Sequence, residues 1–135
     1  MKTKDIRMEV GIAVGLLLLV LIVFKALLQP GFYESHDGLF HLIRVEAMAH
    51  ELSLGQFPVR MADELAYGRG YPVFNYAYPL FHYFAAGLVL LGLTAQDAIK
   101  VVVLLCSWLS VWAGYKWMRC FFEKKAALTG AVLLL

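Results

Sequence analysis

The sequence predicts an all-α fold, polytopic membrane helices with an amphipathic juxtamembrane helix in the first extracytoplasmic loop. Three observations predict it. The 135 residues are 61% hydrophobic and 16% charged with a mean hydropathy of +0.71, whereas soluble domains carry about a quarter charged residues and about half apolar ones. The apolar residues gather into runs of membrane-helix length. Between the first two runs lies a polar, aromatic-crowded stretch, residues 36–83, that begins with helical rather than alternating periodicity. A net charge of +2 and the lack of a basic patch at nucleic-acid spacing argue against a nucleic-acid partner.

Taken in order, residues 1–9 carry Lys2, Lys4 and Arg7 ahead of an apolar run, 10–28, expected as the first span. Lys25 near its far end is able to snorkel. A signal peptide is the competing reading, but no small-x-small cleavage site follows. An uncleaved anchor is preferred, its N-terminus cytoplasmic by the positive-inside rule. Pro30-Gly31 stops this helix and opens an extracytoplasmic loop, 29–78. Inside the loop, residues 37–54 place Leu42, Val45, Ala49 and Leu52 on one stripe, and Asp37, His41, Arg44, Met48 and Glu51 on its neighbour. Such a helix is too polar to span and is expected to lie along the membrane surface, with Gly55 as its stop.

Residues 71–96 contain no Asp, Glu, Lys or Arg. A second span is expected over 79–95, with Pro79 in its first turn. A third is expected over 99–118. Residues 126–135 are apolar for only about 15 Å of helix, half a bilayer. The chain is therefore read as the N-terminal part of one larger integral membrane domain. Three full crossings put Lys116, Arg119, Lys124 and Lys125 outside, against the positive-inside rule. Either the segment from Pro79 dips without crossing or the rule yields locally; apolar length argues for crossing. Cys106 and Cys120 lie about 21 Å apart along a continuous helix, beyond disulfide reach.

Ionisable side chains beside a membrane are costly unless solvated or used, so the loop is where chemistry is sought. Asp37 is the leading candidate, as a general base on a hydroxyl or a hard cation ligand; an ordinary helix N-cap is the plain alternative. His36, Asp37 and His41 form a partial metal constellation, short of the three or four ligands zinc requires. Arg44, Arg60 and Arg69 are candidates for a lipid phosphate or diphosphate, against surface arginines. Glu34, Asp63 and Glu64 are ambiguous. Tyr67, Tyr71, Phe74, Tyr76, Tyr78, Phe81 and Tyr83 read as an interfacial aromatic belt or, more sharply, as a wall for a sugar or lipid chain. Gly68-Arg69-Gly70 lacks the tail of a phosphate loop and reads as a turn.

The order of motifs then carries a resemblance. After the first span come His-Asp-Gly-Leu-Phe-His (36–41), Gly-Gln-Phe-Pro-x-Arg (55–60), Tyr-Gly-x-Gly-Tyr-Pro (67–72), Phe-Asn (74–75) and Pro-Leu-x-x-Tyr (79–83). This pattern resembles the bacterial 6-pyruvoyl-tetrahydropterin synthase-related polytopic membrane proteins and, more distantly, the GT-C superfamily of membrane glycosyltransferases. The pterin part of the first name implies no activity here, since that soluble synthase needs a histidine-bound zinc and an α+β fold. The second resemblance implies an all-helical enzyme of the bacterial cytoplasmic membrane. It would transfer a sugar from a polyprenyl-phosphate-linked donor to a saccharide, lipid or protein acceptor on the outer face. By position Asp37 would be the family's acidic residue after the first span. It is followed by Gly38 rather than a second acid, so a divalent cation is possible but not required. The substrate-binding set would be His36, His41, Arg44, Arg60, Arg69, Tyr71 and Tyr76. Two other readings stand beside it: a non-catalytic transporter or binder of lipid-linked saccharide, and a structural membrane protein whose loop docks a partner.

Overall fold

The computed structural model describes residues 3–135, with side chains from Ile6 onward. Lys2 and the Lys4 side chain, part of the N-terminal basic cluster, lie outside the described residues. Among the described residues the chain is mostly helical and has no strand. Its right-handed α-helices are α1 (Thr3–Val23), α2 (Gly38–Ser53), α3 (Pro79–Leu90), α4 (Ala95–Met118) and α5 (Lys124–Val132), with short 3-10 turns at Lys25–Leu28 and Val73–Asn75. The contacts divide it into two compact units, one of residues 1–29 and 103–135 and one of Pro30–Val102. Helix α4 contributes its first turns to the second unit and the remainder to the first.

In the first unit, α1 and α4 are the two helices long and apolar enough to cross a membrane. Their 21 and 24 residues give about 31 and 36 Å of helix. The α1 span begins earlier than residue 10, its apolar window covering Ile6–Val23. Leu16 and Val20 of α1 meet Val111 and Tyr115 of α4 and Ala127 and Ala131 of α5 in one buried cluster. Three polar contacts set the direction of the pair. Lys116 Nζ donates to Glu9 Oε2 at 3.1 Å, Tyr115 OH donates to Glu9 Oε1 at 3.4 Å, and Trp108 Nε1 donates to the Ala13 carbonyl at 2.9 Å. Early residues of α1 thus meet late residues of α4, and the two helices run antiparallel. The Lys116 end of α4 lies at the Glu9 end of α1. Three successive full crossings would have set these ends apart.

The second unit is built on α2 packed against α3. The sequence reading of α2 holds to within a residue: Asp37 occupies its N-cap position and Gly55 follows its last turn. Gly55 adopts φ +84°, its N–H bonding the Leu52 carbonyl and the Gln56 N–H the Glu51 carbonyl, both at 3.0 Å. This is the Schellman arrangement, which favours glycine because it needs a left-handed residue after the helix. The α3 helix ends the same way on Gly92 (φ +103°), with Gly92 N to Val89 O at 2.9 Å and Leu93 N to Leu88 O at 3.1 Å. As a result α3 stops at Leu90 after 12 residues, about 18 Å, where the apolar run had suggested a span over 79–95. A hydrocarbon core of about 30 Å exceeds it. Apolarity of 91–93 fed the expectation; the glycine turn and the Thr94 cap of α4 override it. Thr94 Oγ1 accepts the Asp97 N–H at 3.1 Å and donates to Asp97 Oδ2 at 2.8 Å.

The buried cluster of this unit joins Ala47, Met48 and Ala49 of α2 to Val59, Ala62, Val73, Phe74 and Ala86. Glu51 is 2% exposed, drawn inside by the segment that follows α2. Its Oε1 accepts the Asp63 N–H at 2.8 Å and its Oε2 the Gln56 side-chain amide at 3.4 Å. Residues 62–71 form a hairpin-like loop pinned by two backbone bonds of 3.0 Å between Ala62 and Tyr71. Its tip holds Ala66 and Tyr67 at φ 56° and 60°, a left-handed turn that costs such residues roughly 1–2 kcal/mol each.

Candidate functional site

The pinned loop, the start of α2 and the start of α3 enclose a cavity of about 580 Å³ within the second unit. Asp37, His41 and Arg44 reach it from successive turns of α2, whose 3.6-residue period sets positions i, i+4 and i+7 on one face. Tyr71 enters because the Ala62–Tyr71 bridge fixes the backbone on either side of it. Tyr76, Tyr78, Phe40, Phe81 and His82 complete most of the wall. A charged stripe facing aromatic rings is an arrangement for a ligand with a polar head and an apolar or ring-shaped body.

Asp37 occupies the N-cap position, yet its carboxylate makes no capping bond. It accepts a hydrogen bond of 3.0 Å from His36 Nδ1 instead, and its side chain stays 65% exposed. The capping alternative therefore does not use up this group. Gly38 behind it is buried against Phe32 and Ser35; a Cβ there would fall 2.7 Å from Phe32 Cε1 and 2.6 Å from Ser35 Oγ. The segment before α2 thereby folds closely over the helix start and holds Asp37 at the cavity mouth.

His82 is 2% exposed, enclosed by the rings of Phe74, Phe81 and His41. Burial lowers its pKa below the ordinary 6.5, and the positive charge of Arg44 and of a protonated His41 acts in the same direction; the Tyr78 carbonyl opposes both. The neutral ring donates from Nδ1 to the Tyr78 carbonyl at 3.0 Å. Its Nε2 is then an acceptor, facing His41 Nδ1 at 3.4 Å. That geometry assigns the His41 proton to Nδ1. His41 is thus oriented by a buried neighbour, as a positioned imidazole requires.

Of the residues singled out from sequence, Asp37, His41, Arg44, Tyr71 and Tyr76 line this one cavity, and His36 stands beside Asp37. Arg60 and Arg69 do not line it. Both are exposed, Arg60 just past the segment that binds Glu51 and Arg69 beside the left-handed tip. Their expected place at a donor phosphate is therefore not part of this geometry. Tyr78 and Phe81, read from sequence as part of an aromatic belt or ligand wall, line the cavity as well, whereas His82 and Phe40 were not singled out for the site. His82 carried a signal, being the one imidazole in a run free of acids and bases, but its partner His41 is 41 residues away. Among the described residues no three of His, Cys, Asp and Glu gather closely enough to hold a metal ion. Cys106 and Cys120 are free thiols.

Compared with known proteins, the chain matches no protein-family model, no curated protein and no solved structure.

Proposed function

We propose that this chain belongs to a membrane glycosyltransferase of GT-C type, acting on a lipid-linked sugar at the outer face of a bacterial cytoplasmic membrane. The observation that carries this reading is Asp37. It is a carboxylate free of its capping duty, on the face of α2 shared with His41 and Arg44, at the mouth of an aromatic-walled cavity. In this reading Arg44 holds the phosphate of a polyprenyl-phosphate-linked donor by paired N–H bonds. Tyr71, Tyr76 and Tyr78 line the sugar and the first lipid carbons. Asp37 accepts the proton of the acceptor hydroxyl as its oxygen attacks the anomeric carbon. The bond from that carbon to the phosphate oxygen breaks, and the electron pair leaves with polyprenyl phosphate. His41, set by His82, supports the phosphate side. These steps do not require a divalent cation, although Asp37 could also serve as a ligand for one. The membrane setting draws on the two span-length helices, and a cytoplasmic N-terminus on Lys2, Lys4 and Arg7.

The test is Asp37→Asn in the full-length protein, assayed with a radiolabelled polyprenyl-phosphate sugar. Transfer is expected to fall by about 10²-fold or more, with membrane insertion unchanged and donor still bound. An active variant would reject catalysis by Asp37. Donor translocation at the wild-type rate in Asp37→Asn would instead identify a carrier of lipid-linked saccharide.

A further inference from the structure

Helix α3 follows the membrane-capable α1 and precedes the membrane-capable α4, yet it is too short to cross. Its two faces differ in what covers them. His82, Ala85 and Ala86 are buried and Val89 packs on the same core; these residues repeat at helical spacing along the face turned to α2. The opposite face is apolar from end to end. Leu80, Phe84 and Leu91 are 67%, 61% and 80% exposed, with half-buried Leu88 between them. Tyr76 and Tyr78, exposed just before α3, are residue types that settle at a bilayer's polar boundary.

From this we infer that α3 is seated in one leaflet of the membrane without crossing it, lipid acyl chains being the partner of its Leu80–Phe84–Leu88–Leu91 face. Connectivity within the first unit supplies the independent support. Because α1 and α4 run antiparallel, with Glu9 paired to Lys116, the chain leaves that unit after Gln29 and re-enters at Val103 on the side away from this ion pair. A single crossing between those points would make α1 and α4 parallel. The intervening Pro30–Val102 unit therefore returns to the side it started from. Arg119, Lys124 and Lys125 then share a side with the N-terminal basic residues, which removes the conflict with the positive-inside rule. The occupant is a bilayer rather than a protein because the face is uniformly apolar and its helix follows one helix of bilayer length along the chain and precedes another. The inference rests on the membrane reading of α1 and α4 and not on sugar transfer.

The experiment replaces Cys106 and Cys120 by Ala in the full-length protein and introduces single cysteines by Asn75→Cys, Gln96→Cys and Glu123→Cys. Sealed vesicles of known orientation are treated with a membrane-impermeant maleimide. Positions 75 and 96 are expected to react from the same side, and position 123 only from the other. Reaction of 75 and 96 from opposite sides would overturn the proposal, as would release of the protein by alkaline carbonate. A fluorophore on Phe84→Cys separately tests the seating: it should emit as in an apolar medium and be quenched by lipid nitroxides. Quenching by aqueous iodide at the level of a free dye would reject the lipid contact. Asp37 is intact throughout, so sugar transfer can succeed or fail independently.

Discussion

Glu51 and Asp37 sit on one helix, and their fates show how residue-scale chemistry is decided by what arrives from elsewhere. Both were legible as acids on one polar stripe of α2. Asp37 stays 65% exposed at the cavity mouth, hydrogen-bonded to its neighbour His36. Glu51 is enclosed because residues 56–63 fold back and present the Asp63 N–H and the Gln56 amide to its two oxygens. A buried acceptor with two donors is a structural tie. Glu51→Ala is expected to leave the Asp63 N–H unpaired and to destabilise the second unit by about 1–3 kcal/mol. Glu51→Gln, which keeps one carbonyl for Asp63, should lose less. Thermal unfolding of both variants in detergent checks the order; equal losses would mean that packing rather than hydrogen bonding holds this corner.

At the scale of elements, two glycines decide where α2 and α3 end. Gly55 was legible because it follows a clear amphipathic period. Gly92 was not, because leucines surround it and hydropathy continues to residue 93. Both sit at positive φ, where a Cβ costs roughly 1 kcal/mol. No side chain or backbone atom crowds either position, so the cost is conformational alone. Gly92→Ala is expected to lower stability by about 1 kcal/mol, whereas Gly92→Asn, which tolerates the left-handed region better, should recover part of it. Calorimetry of the two variants would show this; a neutral Gly92→Ala would mean that α3 extends past Leu90. Asp37 opens α2 and Pro79 opens α3 as their sequence signals indicate, and the long apolar runs became α1 and α4, although α1 ends at Val23 rather than residue 28 and α4 begins at Ala95 rather than residue 99.

For the whole molecule, the polar contacts between α1 and α4 fix the direction in which two apolar helices pair. The Glu9–Lys116 ion pair is partly exposed, which limits it to about 0.2–1 kcal/mol. Its value lies in specificity: one acid near the start of α1 selects the basic end of α4. Glu9→Lys should lower the thermal midpoint of the protein, and the double exchange Glu9→Lys with Lys116→Glu should restore much of it. A double variant as unstable as the single one would show that Trp108 and the Leu16–Val111 core set the direction without help from charge.

By itself the sequence determined the helical class, the two long apolar helices, the boundaries of α2 and the Asp37–His41–Arg44 stripe. All of these follow from local composition and a 3.6-residue period, which neighbouring residues are enough to express. Only the tertiary structure decided that α3 stops short, that α1 and α4 run antiparallel, that Arg60 and Arg69 stay outside the cavity, and that His82 meets His41. Each of those depends on contacts between residues far apart in the chain, such as Glu9 with Lys116 and His41 with His82. Periodicity shows which side of a helix is apolar, but the partner that covers it is set by how the distant segments close around it.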